Sequence, residues 1–150
     1  MEKRNIEILD LPRERIDEIE PLWNALNSHH QARSTHFEQH FSTFTFDKRV
    51  KHLNAAPYLK IFVAVDGDVF VGYCIASANE SKGEIDSLYV QQGYQGARLG
   101  QQLMDCSIAW LEDQKCTQIS VYVAEGNEEA MPFYERFGFK PRFQVMQIRR

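Results

Sequence analysis

Between Glu84 and Gly100 the chain reads EIDSLYVQQGYQGARLG. A run of strand-forming residues ends at Val90, a turn containing Gly93 and Gly96 follows, and an amphipathic helix then begins. The first N–H groups of a helix have no intrahelical acceptor, and the helix dipole adds partial positive charge there. This order of strand, glycine turn and helix therefore predicts a site for the phosphate groups of a ligand.

The spacing of this turn excludes two common phosphate-binding motifs. The P-loop requires G-x-x-x-x-G-K-[ST], and no part of the turn supplies it. The dinucleotide motif requires G-x-G-x-x-G, which Gly93, Gly96 and Gly100 do not match. Nucleotide hydrolysis and dinucleotide binding are therefore not expected.

Two segments carry a resemblance to one family. Gln95–Gly100, QGARLG, resembles the [QR]-x-x-G-x-[GA] pyrophosphate loop of the GNAT superfamily of N-acetyltransferases, with Arg98 in place of the middle glycine. Asn127–Phe139, NEEAMPFYERFGF, is similar to the family's N-x-x-A-x-x-F-Y-x-x-x-G-F segment. Both motifs occur in the family's order, and the resemblance extends over Leu59–Phe139.

Arg98, which replaces the motif glycine, lies at the predicted start of the helix. Right-handed helical φ and ψ suit any L-residue except proline, so we expect no backbone strain at this position. The Arg98 amide would still point at the pyrophosphate, and its guanidinium could add a charge-assisted contact. The alternative is a degenerate loop that no longer binds the ligand.

The resemblance implies an α/β (α+β) fold of the GNAT type, in a single domain over residues 1–150. It implies a central mixed, mostly antiparallel sheet of six to seven strands flanked by helices, with acetyl-CoA bound where the central strands splay. Local patterns add a hairpin turn at Asp66-Gly67, a capping box at Thr35–Glu38 and a kink or restart of the first helix at Pro21. A last strand is expected at Gln144–Ile148.

Acetyl-CoA is the cosubstrate that the resemblance implies. Its pantetheine arm would pair like an extra strand, with the Leu88 amide polarising the thioester carbonyl and Tyr134 protonating the departing thiolate. Core packing is the alternative role for Tyr134, and a helix N-cap is the alternative role for Asn127. The expected cosubstrate-binding residues are Leu88, Tyr89, Val90, Gln95, Gly96, Ala97, Arg98, Leu99, Gly100, Gln101, Asn127 and Tyr134.

Acyl transfer to an amine needs a base, because the amine arrives as ammonium and only its neutral form attacks. Strand alternation predicts that Glu84, Asp86, Leu88 and Val90 share one face. A carboxylate whose pKa is raised by burial can take the proton. The resemblance makes Glu84 the first candidate for the catalytic base, because it lies six residues before Val90, where some members of the family place a glutamate base, and Asp86 is the second candidate. A solvated face or an ion pair is the alternative, and a histidine near the substrate could replace either carboxylate.

Composition narrows the other classes of function. At 150 residues and 43% hydrophobic content, the chain can build one core. A net charge of −4 without a basic stripe argues against a nucleic-acid partner, and the absence of a signal-like or membrane-spanning apolar run predicts a cytoplasmic protein with no membrane partner. Three cysteines lack metal-ligand spacing, and His36 and His40 lack the H-E-x-x-H pattern, so no metal is expected.

The sequence therefore predicts transfer of an acetyl group from acetyl-CoA to a primary amine of unknown identity. One alternative is a noncatalytic acyl-CoA-binding or regulatory module with a decayed loop. Another is a structural homodimer that pairs through the C-terminal strand.

Overall fold

The computed structural model describes residues 5–150. These residues form five strands and five α-helices, with 3-10 turns at Arg13–Ile19, Gln95–Ala97 and Glu128–Ala130. In chain order the elements are β1 (Ile6–Leu11), α1 (Glu20–Arg33), α2 (Glu38–Thr43), α3 (Phe46–Asn54), β2 (Tyr58–Asp66), β3 (Val69–Asn79), β4 (Lys82–Val90), α4 (Leu99–Asp113), β5 (Gln118–Val121) and α5 (Met131–Glu135).

The sheet has the order β1-β2-β3-β4-β5. Its first three pairings are antiparallel and the β4–β5 pairing is parallel, so the sheet is mixed and mostly antiparallel, as predicted. The prediction of six to seven strands was wrong for residues 5–150, which form five. Gln144–Ile148 has no regular structure, because its backbone has no strand beside it to pair with, and Met146 is 91% exposed.

Helices cover both faces of the sheet. On one face Ile19 and Trp23 pack with Phe46 and Leu53 against β2 and β3, in a core that includes Tyr73. On the other face the buried stripe of α4 packs against small residues of β2 and β3 and against Ile85 of β4. The two faces are called the α1 face and the α4 face below.

Most of the local predictions are confirmed. Pro21 lies in the first turn of α1, where the missing N–H of proline costs nothing, and it separates α1 from the preceding 3-10 turn. Gly67 takes φ 63° in the β2–β3 turn. The capping box was wrong, because α2 begins at Glu38 and the hydroxyl that accepts from the Phe37 N–H (3.0 Å) belongs to Ser34. Within residues 5–150, no helix is long and apolar enough to cross a membrane.

Candidate active site

A β-bulge in β4 determines which side chains face each side of the sheet. Ile85 pairs with Ala76 and Ser87 pairs with Ile75, so Asp86 is an extra residue between two paired ones. The bulge shifts the alternation, and Leu88 and Val90 pack on the α4 face together with Ile85. The prediction that Glu84, Asp86, Leu88 and Val90 share one face was therefore wrong.

The two carboxylates form a hydrogen-bonded pair on the opposite side of the bulge. Asp86 also bonds to Ser77 of β3, and Arg49 of α3 donates from Nη2 to the Asp86 backbone oxygen at 2.5 Å. Burial, reinforced by the neighbouring Asp86, raises the pKa of Glu84 to about 7. Burial likewise raises the pKa of Asp86. The pair therefore exchanges a proton near neutral pH.

Strands β4 and β5 separate at the bulge. Their pairing ends at Ile85 and Val121, and the diverging ends line a cavity of about 80 Å³. The cavity joins four residues predicted from sequence, Asp86, Leu88, Asn127 and Tyr134, while Glu84 is outside its lining and contacts Asp86 from behind. The full lining is Leu26, His30, Ile85, Asp86, Ser87, Leu88, Val121, Tyr122, Val123, Ala124, Asn127 and Tyr134.

Tyr134 reaches the cavity from α5. Its ring meets Phe133 and Phe139 edge-on, at centroid distances of 5.3 and 6.1 Å. Burial raises the pKa of Tyr134 to about 12, so the phenol keeps its proton at neutral pH and can donate it. Asn127, also in the lining, precedes the short 3-10 turn but its side chain makes no capping hydrogen bond.

The glycine turn is held by two side-chain hydrogen bonds. Gln95 Nε2 donates to the Val90 oxygen at 3.0 Å, and the Tyr94 hydroxyl donates to Asp66 of the β2–β3 turn at 2.7 Å. Helix α4 then begins at Leu99, which is buried, while Gln101 is exposed. At Gly100 a Cβ would lie 3.5 Å from the Phe133 ring, so the helix start is packed closely against α5.

Arg98 has a left-handed backbone, with φ 60° and ψ 22°. The expectation of an unstrained right-handed residue was wrong, because Arg98 is not the first helical residue but the one that turns the chain from the 3-10 turn into α4. An L-residue pays about 1–2 kcal/mol for this conformation, and glycine avoids that cost. Glycine in the family motif is thus explained by geometry that this chain retains.

We predict that Arg98→Gly raises the free energy of unfolding by about 1 kcal/mol relative to the wild type, since it relieves the left-handed strain. Arg98→Ala is the matched control, because it removes the guanidinium but keeps the strain, and it should leave stability nearly unchanged. Chemical denaturation of the three proteins measures both effects. Equal stability of the Gly and Ala variants would contradict a left-handed Arg98.

Several contributors to the site were not predicted from sequence. Arg49, Ser77 and His30 come from α3, β3 and α1, and only the fold brings them to β4. The side chain of Tyr89 packs against the α1-face core, and its expected contact with the cosubstrate stays a prediction. In residues 5–150, no group of three or more His, Cys, Asp or Glu is placed to hold a metal ion.

A splayed strand pair beside a glycine-containing turn and a helix start, with a carboxylate pair near the cavity, is an arrangement suited to acyl transfer. Residues 19–139 match the model of the acetyltransferase (GNAT) family, and the chain belongs to that family. Acetyl transfer is accordingly the chemistry that the family supports.

Two curated relatives match part of the chain. The chain is 31% identical over 83 residues to N-alpha-acetyltransferase 30 of Schizosaccharomyces pombe, covering 52% of this chain and 55% of that protein. It is 34% identical over 85 residues to mycothiol acetyltransferase of Geodermatophilus obscurus, covering 52% of this chain and 28% of that protein. The matched regions thus span about half or less of each relative's own length.

A solved structure extends the likeness of fold over nearly the whole chain. The PaiA N-acetyltransferase of Thermoplasma acidophilum, in complex with coenzyme A, superposes with a TM-score of 0.75 at 16% identity. The match covers 94% of this chain and 93% of that one. At this identity the comparison defines the fold alone.

Proposed function

We propose that this protein transfers an acetyl group from acetyl-CoA to a primary amine. One observation carries the proposal: the cavity where β4 and β5 separate is lined by Asp86 on the acceptor side and by Tyr134 from α5. Amine attack on a thioester needs a base for the amine and an acid for the sulfur, and these two side chains border one small space.

The residues around the cavity fit acetyl-CoA. The diverging edges of β4 and β5 leave room for an extended arm beside Leu88, and Asn127 offers a polar side chain without a capping bond. The first amides of α4 and the turn at Gln95–Ala97 would hold the pyrophosphate, since amides at a helix start lack intrahelical acceptors. Acetyl-CoA would supply the acetyl group as a thioester.

The carboxylate pair prepares the amine. An amine with an ordinary pKa arrives protonated, and Asp86, which lines the cavity, is placed to take its proton. Glu84 behind it shares that proton, and a pair that titrates near neutral pH can accept a proton and then release it to solvent. The pKa of Glu84, about 7, lies near neutral pH, which favours base catalysis by this pair.

Tyr134 completes the proton balance. As the amine nitrogen forms its bond to the acetyl carbon, the carbon–sulfur bond breaks and the thiolate takes the Tyr134 proton. The second proton of the attacking nitrogen returns to the tyrosinate. Ammonium and thioester thus become an amide, a thiol and one proton released through the carboxylates.

The first test is calorimetric titration of the protein with acetyl-CoA, with ATP as the control for general phosphate binding. We expect saturable binding of acetyl-CoA, no comparable binding of ATP, and thiol release when primary amines are added. Binding without thiol release for any amine would favour a noncatalytic acyl-CoA-binding module. No binding at all would indicate that the strained turn at Arg98 has lost the cosubstrate.

A further inference from the structure

Two buried polar atoms beside the active-site cavity have no hydrogen-bond partner within the described part of the chain. They are Nδ1 of His30, from α1, and Oδ2 of Asp86, from β4, and both residues line the cavity. Native proteins pair nearly all buried polar atoms, because an unpaired one keeps the full cost of its lost hydration. Two such atoms at one cavity indicate a ligand group that pairs with both.

The chemistry of these atoms specifies that group. Asp86 Oδ2 is a hydrogen-bond acceptor with negative charge. Burial, with a smaller contribution from His29, lowers the pKa of His30, so its imidazole is neutral at neutral pH. With the ring proton on Nε2, Nδ1 accepts a hydrogen bond. A ligand that satisfies both atoms donates at least two hydrogen bonds and carries positive charge, as an ammonium does.

The surroundings fix the positions of the two atoms. The His30 ring lies against Phe41 of α2, at a centroid distance of 5.5 Å, so the imidazole is supported on one side. Asp86 belongs to residues 85–88 of β4, which line the same cavity. A ligand in this cavity therefore meets both atoms.

We propose that His30 Nδ1 and Asp86 Oδ2 together bind the ammonium group of the acceptor amine. The inference rests on the proposed function and adds to it a substrate-binding histidine. His30 holds the nitrogen, whereas the carboxylate pair takes the proton. Losing His30 should therefore raise KM for the amine more than it lowers kcat.

Substitutions that keep or remove a polar atom at the position of His30 Nδ1 test the role of His30. Asparagine places a polar atom near the position of Nδ1, glutamine reaches toward that of Nε2, and phenylalanine has neither. We expect His30→Phe and His30→Gln to raise KM for n-butylamine about 10-fold or more, because each loses one hydrogen bond to a charged group. In His30→Asn, KM should stay within about threefold of the wild-type value. His52→Phe, at an exposed histidine of α3, is the control.

A binding measurement separates this inference from the proposed function. In ¹H–¹³C NMR spectra of the protein with CoA present, n-butylamine should shift the ring signals of His30 and leave those of the exposed His52 in place. That result supports the amine site even if no acetyl transfer occurs, in which case only the proposed function fails. Acetyl transfer with unshifted His30 signals, or with KM unchanged in His30→Phe, would overturn the role of His30.

Discussion

Asp86→Asn is expected to lower kcat/KM for the amine by about 100-fold or more at pH 7, the usual contribution of a positioned base. Asparagine keeps the shape of the side chain but cannot take a proton. The affinity for acetyl-CoA should stay close to that of the wild type, because asparagine fills the same space in the cavity lining and the turn proposed to hold the pyrophosphate lies elsewhere, at Gln95–Ala97. Steady-state kinetics and calorimetry measure the two quantities.

The dependence of this loss on pH identifies the missing step. At high pH more of the amine is already neutral, so the deficit of Asp86→Asn should shrink as pH rises. In the wild type, the carboxylate pair must be deprotonated, and the pKa of Glu84, raised to about 7, places a rise in kcat near that pH. In Glu84→Gln the group whose pKa is about 7 is gone, so the rise in kcat near that pH should disappear and only the titration of Asp86 should remain.

Two exposed carboxylates provide controls for these variants. Asp113→Asn at the end of α4 and Glu80→Gln in the β3–β4 turn remove the same charges without touching the cavity, and neither should change kcat/KM by more than about twofold. A larger loss in Glu84→Gln than in Asp86→Asn would make Glu84 the base, acting through water. Losses under about threefold in both variants would contradict base catalysis by this pair.

Sequence patterns predicted the parts of the fold that depend on neighbours along the chain. Strand alternation and the Asp66-Gly67 turn gave the β2–β3 hairpin, and the glycine turn gave the start of α4. The bulge at Asp86 was not predicted, because an extra residue in a strand is visible only against the register of its partner. That single residue reversed the faces expected for Leu88 and Val90.

The residues of the candidate site, like the fold, were predicted only where the local sequence marks them. Asn127 and Tyr134 of the second motif line the cavity where β4 and β5 separate, and their roles there stay predictions. His30 and Arg49 come from helices that lie outside the two motifs, and nothing in their local sequence marks them. Which side chains meet the substrate depends on how α1 and α3 pack on the sheet, and single-sequence patterns do not specify that packing.

The end of α1 is tied to the chain beyond β5 by a set of hydrogen bonds around Glu125. Its carboxylate accepts from the Ser34 hydroxyl at 2.7 Å and from the Thr35 and His36 amides at 2.8 and 3.1 Å. These bonds lower the pKa of Glu125 to about 2, the Thr35 amide contributing most. Beside it, Arg33 Nε donates to the Gly126 oxygen at 2.9 Å. The connection fixes the helix that carries His30.

Gly126→Ala is expected to destabilise the protein by about 3 kcal/mol, or roughly 6–12 °C in Tm for a chain of this size. Gly126 has φ 91°, and a Cβ there would lie 2.3 Å from the Arg33 backbone oxygen, so the substitution adds both backbone strain and a steric clash. Gly67→Ala separates the two causes, because Gly67 has φ 63° but no atom within 4 Å of its added Cβ. Strain alone should cost that variant about 1 kcal/mol.

The Gly126→Ala substitution should also weaken binding of the amine. If the clash pushes the end of α1 away from β5, His30 moves with it, and Gly126→Ala should raise KM for the amine even at temperatures where the protein stays folded. Gly67→Ala, at the distant β2–β3 turn, should leave KM unchanged. Thermal denaturation and amine kinetics on both variants measure these effects. An equal loss of stability in the two variants would contradict the prediction. It would mean that the backbone around Arg33 moves to accommodate the added methyl group and that this connection does not fix α1.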